Sequence, residues 1–159
     1  MSIIDVEKEI VWSEIVTRIE AVPDVQKCHE GFVPPDTIPD AGFPCSMLEP
    51  DESPIIEDEY WGSSSSWGLC NLYLILWFFF RIYEKQKQIT GTVSIPGIFD
   101  WEKTIKKALV ATPLHLDDKA VKVSFGTTLY LRSMTEQPDK GIIRGFELPL
   151  VIPVMEHLR

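Results

Sequence analysis

The stretch that decides the fold is Leu69-Cys70-Asn71-Leu72-Tyr73-Leu74-Ile75-Leu76-Trp77-Phe78-Phe79-Phe80-Arg81-Ile82-Tyr83-Glu84. A bilayer-spanning helix needs about 20 apolar residues in a row. Here Asn71 and Arg81 bracket only nine. The run is too aromatic to sit well in a helix, and aromatic and β-branched side chains favour strands. Read with period two, Leu72, Leu74, Leu76, Phe78, Phe80 and Ile82 share one face. Tyr73, Ile75, Trp77, Phe79 and Tyr83 share the other, with Arg81 the one charge among them. A strand that is apolar on both faces must be covered on both. Helices of the same chain can cover one side. The other side calls for more chain or another subunit, which points to a protein that works by assembling.

Upstream of this strand, residues from about Val6 to Glu20 predict a helix. Val11, Ile15 and Ile19 recur four apart beside Trp12 and Val16, and Asp5, Glu7 and Glu9 suit a helix N-terminus. Pro23 closes it. Val25 to Val33 reads as a strand ended by Pro34-Pro35, and Phe43 to Glu49 as a second short strand. The segment from about 55 to 68 reads as a flexible loop. An acidic run (Glu57, Asp58, Glu59) leads into Tyr60 and Trp61, and Gly62 with Ser63 to Ser66 then runs into Trp67.

Downstream, Pro96-Gly97 marks a turn, and Asp100 is placed to cap a helix reaching about Ala111. Ile98, Trp101, Ile105, Ala108 and Leu109 form its apolar stripe, with Lys103, Lys106 and Lys107 opposite. Two strands are expected after Pro113, Ala120 to Arg132 and Ile142 to Met155. They are joined by a hairpin connection at Gln137-Pro138-Asp139-Lys140-Gly141. Pro149 and Pro153 cannot donate to a ladder, so the last strand is expected at a sheet edge. Strands grouped between two helices predict an α+β domain spanning 1–159. Its architecture would be a mostly antiparallel sheet with two amphipathic helices on one face, plus a hairpin or long loop.

Bulk composition narrows the function. With 159 residues, 45% of them apolar, the chain can bury one real core. The formal charge is -9, from 24 acidic and 15 basic residues, and no dense Lys/Arg cluster is present. Nucleic-acid binding through phosphate contacts needs such a patch. An acidic channel that DNA passes without adhering is compatible with this charge. The cysteines Cys28, Cys45 and Cys70 match no zinc spacing and read as buried, free thiols in a reducing compartment. The opening Met1-Ser2-Ile3-Ile4-Asp5 does not resemble a secretion signal.

No catalytic constellation stands out. Phosphate-loop, dinucleotide-glycine and nucleophile-elbow patterns are missing from the sequence. Cys28-His29 invites a thiolate–imidazole reading, but neighbours on a strand point to opposite faces. His115 with Asp117 and Asp118 reads as a solvated loop rather than a metal site. The run Glu57, Asp58, Glu59 lacks the alternate spacing and glycine turn usual for Ca²⁺ ligands and reads as a solvated acidic surface. No cofactor is implied, and the chain is expected not to be an enzyme. The Trp61–Trp67 loop is the better functional candidate, because tryptophan often dominates interface energy. Both rings folding back on the core is the competing expectation.

In layout the chain resembles the bacteriophage tail terminator, or tail-completion (neck), proteins. The resemblance rests on several segments. The opening helix ends at Ile19-Glu20-Ala21-Val22-Pro23-Asp24. A proline-punctuated stretch with Phe43-Pro44-Cys45 and then the long apolar strand follow. A helix comes after Ile98-Phe99-Asp100-Trp101, and the closing strand carries Gly145-Phe146-Glu147-Leu148-Pro149-Leu150. The resemblance implies a non-enzymatic structural virion protein, made in the host cytoplasm. It would form a ring, typically a hexamer, that caps the tail tube and joins it to the head-tail connector. Its implied partners are further copies of itself, the tail tube protein and the connector or neck protein, with the tail sheath a further candidate. DNA would pass through unbound, and no membrane is involved. Candidate interface residues are Tyr60, Trp61, Trp67, Phe146, Leu148, Leu150 and Ile152, and the candidate acidic or lumen surface is Glu57, Asp58 and Glu59. The serine-rich loop is not a feature expected of that family. The alternative is a small cytosolic ligand- or protein-binding domain using the aromatic-rich sheet, with Tyr73, Trp77 and Phe79 as its face.

Overall fold

One long antiparallel ladder organises the molecule. In the computed structural model, residues Trp67–Ile82 pair without interruption with residues Gly141–His157, from Trp67 opposite His157 to Ile82 opposite Ile142. The structure describes residues 3–51, 59–60, 67–83, 87–110, 114–116, 119–121, 123–132, 136–137 and 141–157. Side chains are described for 8–51, 71–83, 87–110, 123–132 and 141–154.

In chain order the elements are α1 (Ile3–Glu20), β1 (Lys27–Glu30), β2 (Cys45–Pro50), β3 (Glu59–Tyr60), β4 (Trp67–Ile82), α2 (Ile98–Val110), β5 (Leu114–Leu116), β6 (Lys119–Val121), β7 (Ser124–Phe125), β8 (Leu129–Leu131), β9 (Glu136–Gln137) and β10 (Gly141–His157). Single 3-10 turns at Pro35–Thr37 and Asp40–Gly42 join β1 to β2. The fold is α+β with a mostly antiparallel sheet and two helices. The sheet order is β1-β2-β4-β10-β7, with β3 on β4 and both β8 and β9 on β10. The β1–β2 pair is parallel, and β5 with β6 forms a separate two-stranded ladder.

The period-two pattern of β4 is realised on both faces. Leu74, Leu76, Phe78, Phe80 and Ile82 join Phe146, Leu148, Leu150, Ile152 and Val154 of β10 in one buried cluster. The same cluster contains Val11, Ile15 and Ile19 of α1 and Ile98, Trp101, Ile105 and Leu109 of α2. Each such apolar side chain removed from water contributes about 1.5–3 kcal/mol, so this layer carries most of the stability. A smaller cluster of Ile38, Phe43, Cys45, Met47, Phe79 and Ile143 lies on the opposite face. The chain's own 31–44 segment therefore covers part of the second face.

Three expectations need correction. The last strand is not an edge, because β10 lies between β4 and the short strands β7, β8 and β9. Its prolines are tolerated for a geometric reason. Gly126 donates its N–H to the Pro149 carbonyl at 2.8 Å, so the backbone groups of Pro149 point away from β4. Pro153 has the same parity along the strand, so neither missing N–H is needed by the long ladder. The expected strand 120–132 is three pieces, not one. Its alternation holds only to Phe125, and the ladder stops at Gly126. Asp100 is not the cap residue of α2. The helix begins at Ile98, and the Asp100 carboxylate reaches back to accept from the Gly97 N–H at 3.0 Å, as a third-position residue in a capping box does.

Candidate assembly surface

On the face opposite the main cluster, β4 presents Asn71, Tyr73, Ile75, Trp77, Phe79 and Arg81, and β10 presents Gly145, Glu147, Pro149, Val151 and Pro153. The lower part of this face is closed by the 31–44 segment. Phe32 packs edge-on against Trp77 with ring centroids 5.0 Å apart, and against Phe79 at 6.5 Å. Arg81 forms an ion pair with Asp40 at 3.0 Å while its guanidinium lies 5.2 Å from the Phe43 ring centroid. The upper part differs. Tyr73, Ile75, Pro149, Val151 and Pro153 are only half-buried, and four of these five are purely apolar. Phe32 itself is 44% exposed, although its ring is already in contact.

A second apolar group stands at the β8 edge. Phe99, at the start of α2, meets Tyr130 edge-on at 5.5 Å, and Leu129 is the neighbouring residue in β8. Their exposures are 50%, 43% and 55%, high for side chains of this size. Tyr130 faces Glu102. That carboxylate, accepting from the phenol, is the main cause that pushes the Tyr130 hydroxyl up to about 12. Burial pushes Glu102 up, but the donors Tyr130 and Lys106, with the charge of Lys106, outweigh it and hold the carboxyl below its ordinary range. Lys106 donates to Glu102 at 2.9 Å and also lies over the Phe125 ring. These contacts tie β8 to α2, so the edge is a held surface.

The expected interface residues are placed unevenly. Phe146, Leu148, Leu150 and Ile152 are at most 1% exposed and belong to the cluster shared with the helices. They are core, and the interface role given to them is corrected. Their alternation was visible in the sequence, but a buried face and an unpartnered one have the same pattern. Trp61, Glu57 and Asp58 lie outside the described residues. Glu59 and Tyr60 pair along the backbone with Leu69 and Gly68 of β4, so the 55–68 segment includes a short strand. Trp67 opens β4 opposite His157. Phe32, Phe99, Leu129 and Tyr130 were not anticipated. Phe99 falls off the apolar stripe of α2, and that was the one available signal.

The thiol reading of Cys28 is also settled by burial. Cys28 is buried in the main cluster, and burial pushes its thiol up to about 11 despite a hydrogen bond with Ser46. Burial likewise pushes Cys45 up to about 12. Neither is poised as a thiolate. Burial lowers the affinity of His29 for a proton. Of the expected loop triad, His115 lies in β5, and Asp117 and Asp118 lie outside the described residues. Among the described residues, no group of three or more His, Cys, Asp or Glu is arranged to hold a metal ion. Among them, too, no helix is long and apolar enough to cross a membrane.

One cleft of about 550 Å³ opens beside α1, lined by Lys8, Glu9, Trp12, Ser13, Glu30, Pro50, Leu72 and Leu74. Trp12 donates its indole N–H to Glu30 at 2.6 Å, which ties α1 to the end of β1. Compared with protein-family models and with curated proteins, the chain matches none.

Proposed function

We propose that this protein is a structural assembly subunit of the tail-terminator kind. In this reading it forms a ring of identical copies that caps a phage tail tube and joins it to the connector. The observation that supports the reading is the half-buried apolar band Tyr73, Ile75, Pro149, Val151 and Pro153. Both helices lie on the other face of the sheet in this account, as their shared cluster with β4 and β10 supports. In this reading the band receives a neighbouring subunit or the tube. Charge fits the same role, since six copies at -9 each make -54. DNA and a channel wall of like sign repel, and screening confines that repulsion to about 8 Å at physiological salt.

The test is sedimentation of the wild type against Ile75→Lys and Val151→Lys. Both positions are half-buried, so the fold should survive, as circular dichroism would verify. Loss of large species in the variants supports the reading. Unchanged assembly in both variants, or no large species in the wild type, would sink it.

The cleft beside α1 favours a second reading, a small ligand-binding domain. Its lining joins the apolar Trp12, Pro50, Leu72 and Leu74 to the polar Lys8, Glu9, Ser13 and Glu30, so apolar contact and orienting polar groups are both at hand. Native mass spectrometry of the purified chain would support this with a retained small molecule on a monomer, and would dismiss it with a bare chain.

A further inference from the structure

We propose that Arg132 and Arg144 together bind a phosphate monoester whose apolar body rests on the aromatic pair Phe99 and Tyr130. The site needs one copy of the chain, so it stands apart from the ring reading.

The β8–β10 register brings the two guanidiniums together. Leu131 lies opposite Gly145, and continuing the register by one residue sets Arg132 beside Arg144. Neighbouring strands lie about 5 Å apart. Alternation fixes the side on which they stand. Leu131 packs against the cluster of Phe79 and Ile143 on one face. Tyr130 lies opposite Phe146 and reaches Glu102 of α2 on the other. Arg132 follows Tyr130 by two residues and Arg144 precedes Phe146 by two, so both share the helix side.

Neither charge has a counterion. The other arginines whose side chains are described are matched, Arg18 with Glu14 and Arg81 with Asp40. Among the described residues, Arg132 and Arg144 pair with no carboxylate, although the chain carries 24 acidic residues against 15 basic ones. Arg144 is half-buried, and its Nε is enclosed without a hydrogen-bond partner. Burial disfavours its charged form. Like charges side by side on neighbouring strands destabilise a sheet, and an enclosed charge without a partner adds to that cost. An anion bridging both guanidiniums relieves both penalties. A carboxylate neutralises one charge, whereas a phosphate monoester carries about −1.5 to −2 at neutral pH and neutralises the pair. Arginine is also the side chain whose fork matches phosphate oxygens two at a time.

The aromatic pair supplies the rest of the site. Phe99 and Tyr130 meet edge-on at 5.5 Å, and both are exposed. Residues two apart on a strand are about 7 Å apart, so the Tyr130 ring stands within a small molecule's reach of Arg132. Glu102 holds the Tyr130 phenol from α2, which fixes this wall before any ligand arrives. Exposed apolar side chains beside converging polar groups are the usual make-up of a ligand site.

The test is isothermal titration of the chain with phenyl phosphate, beside inorganic phosphate and benzoate, on the wild type, Arg132→Gln and Lys103→Gln. Arg132 and Lys103 are both exposed, so each variant keeps the fold, as circular dichroism would verify. The expected result is one phenyl phosphate per chain, with inorganic phosphate and benzoate each weaker by roughly tenfold or more. Arg132→Gln should weaken phenyl phosphate by roughly tenfold or more, the loss of one charge-assisted contact, and Lys103→Gln should leave it unchanged. No binding at millimolar phenyl phosphate, or equal binding in Arg132→Gln, would overturn the site. Benzoate binding as tightly as phenyl phosphate would overturn the phosphate assignment, and inorganic phosphate doing so would overturn the role of the aromatic pair.

Discussion

Gly145 sits directly opposite Phe79 across the long ladder, and the Phe79 ring occupies the space a side chain at 145 would need. A Cβ built on Gly145 would lie 2.5 Å from both the Phe79 ring and the Phe78 carbonyl. The missing side chain at 145 thus leaves room for the fully buried Phe79 ring. Gly145→Ala should destabilise the protein by about 1–3 kcal/mol, the usual effect of overpacking. Chemical denaturation checks this. Wild-type stability in the variant would show that the neighbouring strand yields without strain.

Ser46 is a buried polar residue within the core, and its hydroxyl donates to the Trp77 carbonyl at 2.8 Å. It also shares a hydrogen bond with the Cys28 thiol. Ser46→Ala should cost about 1 kcal/mol, the net worth of one such bond. The same denaturation measurement applies. A change below experimental error would mean that the carbonyl is satisfied without the serine.

Cys28 and Cys45 ionise far above an ordinary thiol, whose value is 9.0. A raised folded value means that the unfolded chain loses its thiol protons first. Stability is therefore intact below about 9 and falls as pH rises toward about 11 for Cys28 and about 12 for Cys45. In a Cys70→Ser background, a thiol reagent at pH 8 should label neither cysteine until the protein is unfolded. Rapid labelling of the native chain would contradict their placement.

Replacing Trp61 and Trp67 together by alanine should weaken assembly and leave the fold intact, provided the 55–68 segment reaches a neighbour or the tube. Tryptophan side chains at such contacts typically cost 2 kcal/mol or more, in order of magnitude, when truncated. Sedimentation together with a thermal melt separates the two effects. Normal assembly of the double variant would take the loop out of the account.

What could be read from the sequence followed the range of each signal. The two faces of β4 and the stripe of α2 are local periodicities, and Leu74, Phe78, Ile105 and Leu109 lie in the core as their spacing requires. Pro149 and Pro153 suggest an edge position for β10, but they mark an edge only if their missing N–H groups point into a ladder. That orientation depends on pairing far along the chain. The interface role of Phe146 to Ile152 failed for a related reason. Alternation identifies a face, but whether a helix or another subunit covers it is a tertiary fact. The exposed set Phe32, Phe99, Leu129 and Tyr130 had no sequence signature beyond Phe99 lying off its stripe.

The central claim is that this chain builds a closed ring from copies of itself, and mass in solution tests it most directly. Light scattering on the purified protein should find a species near six times the chain mass of 18.2 kDa, with ring-shaped particles in negative stain. A single species at 18.2 kDa across the accessible concentration range would contradict it.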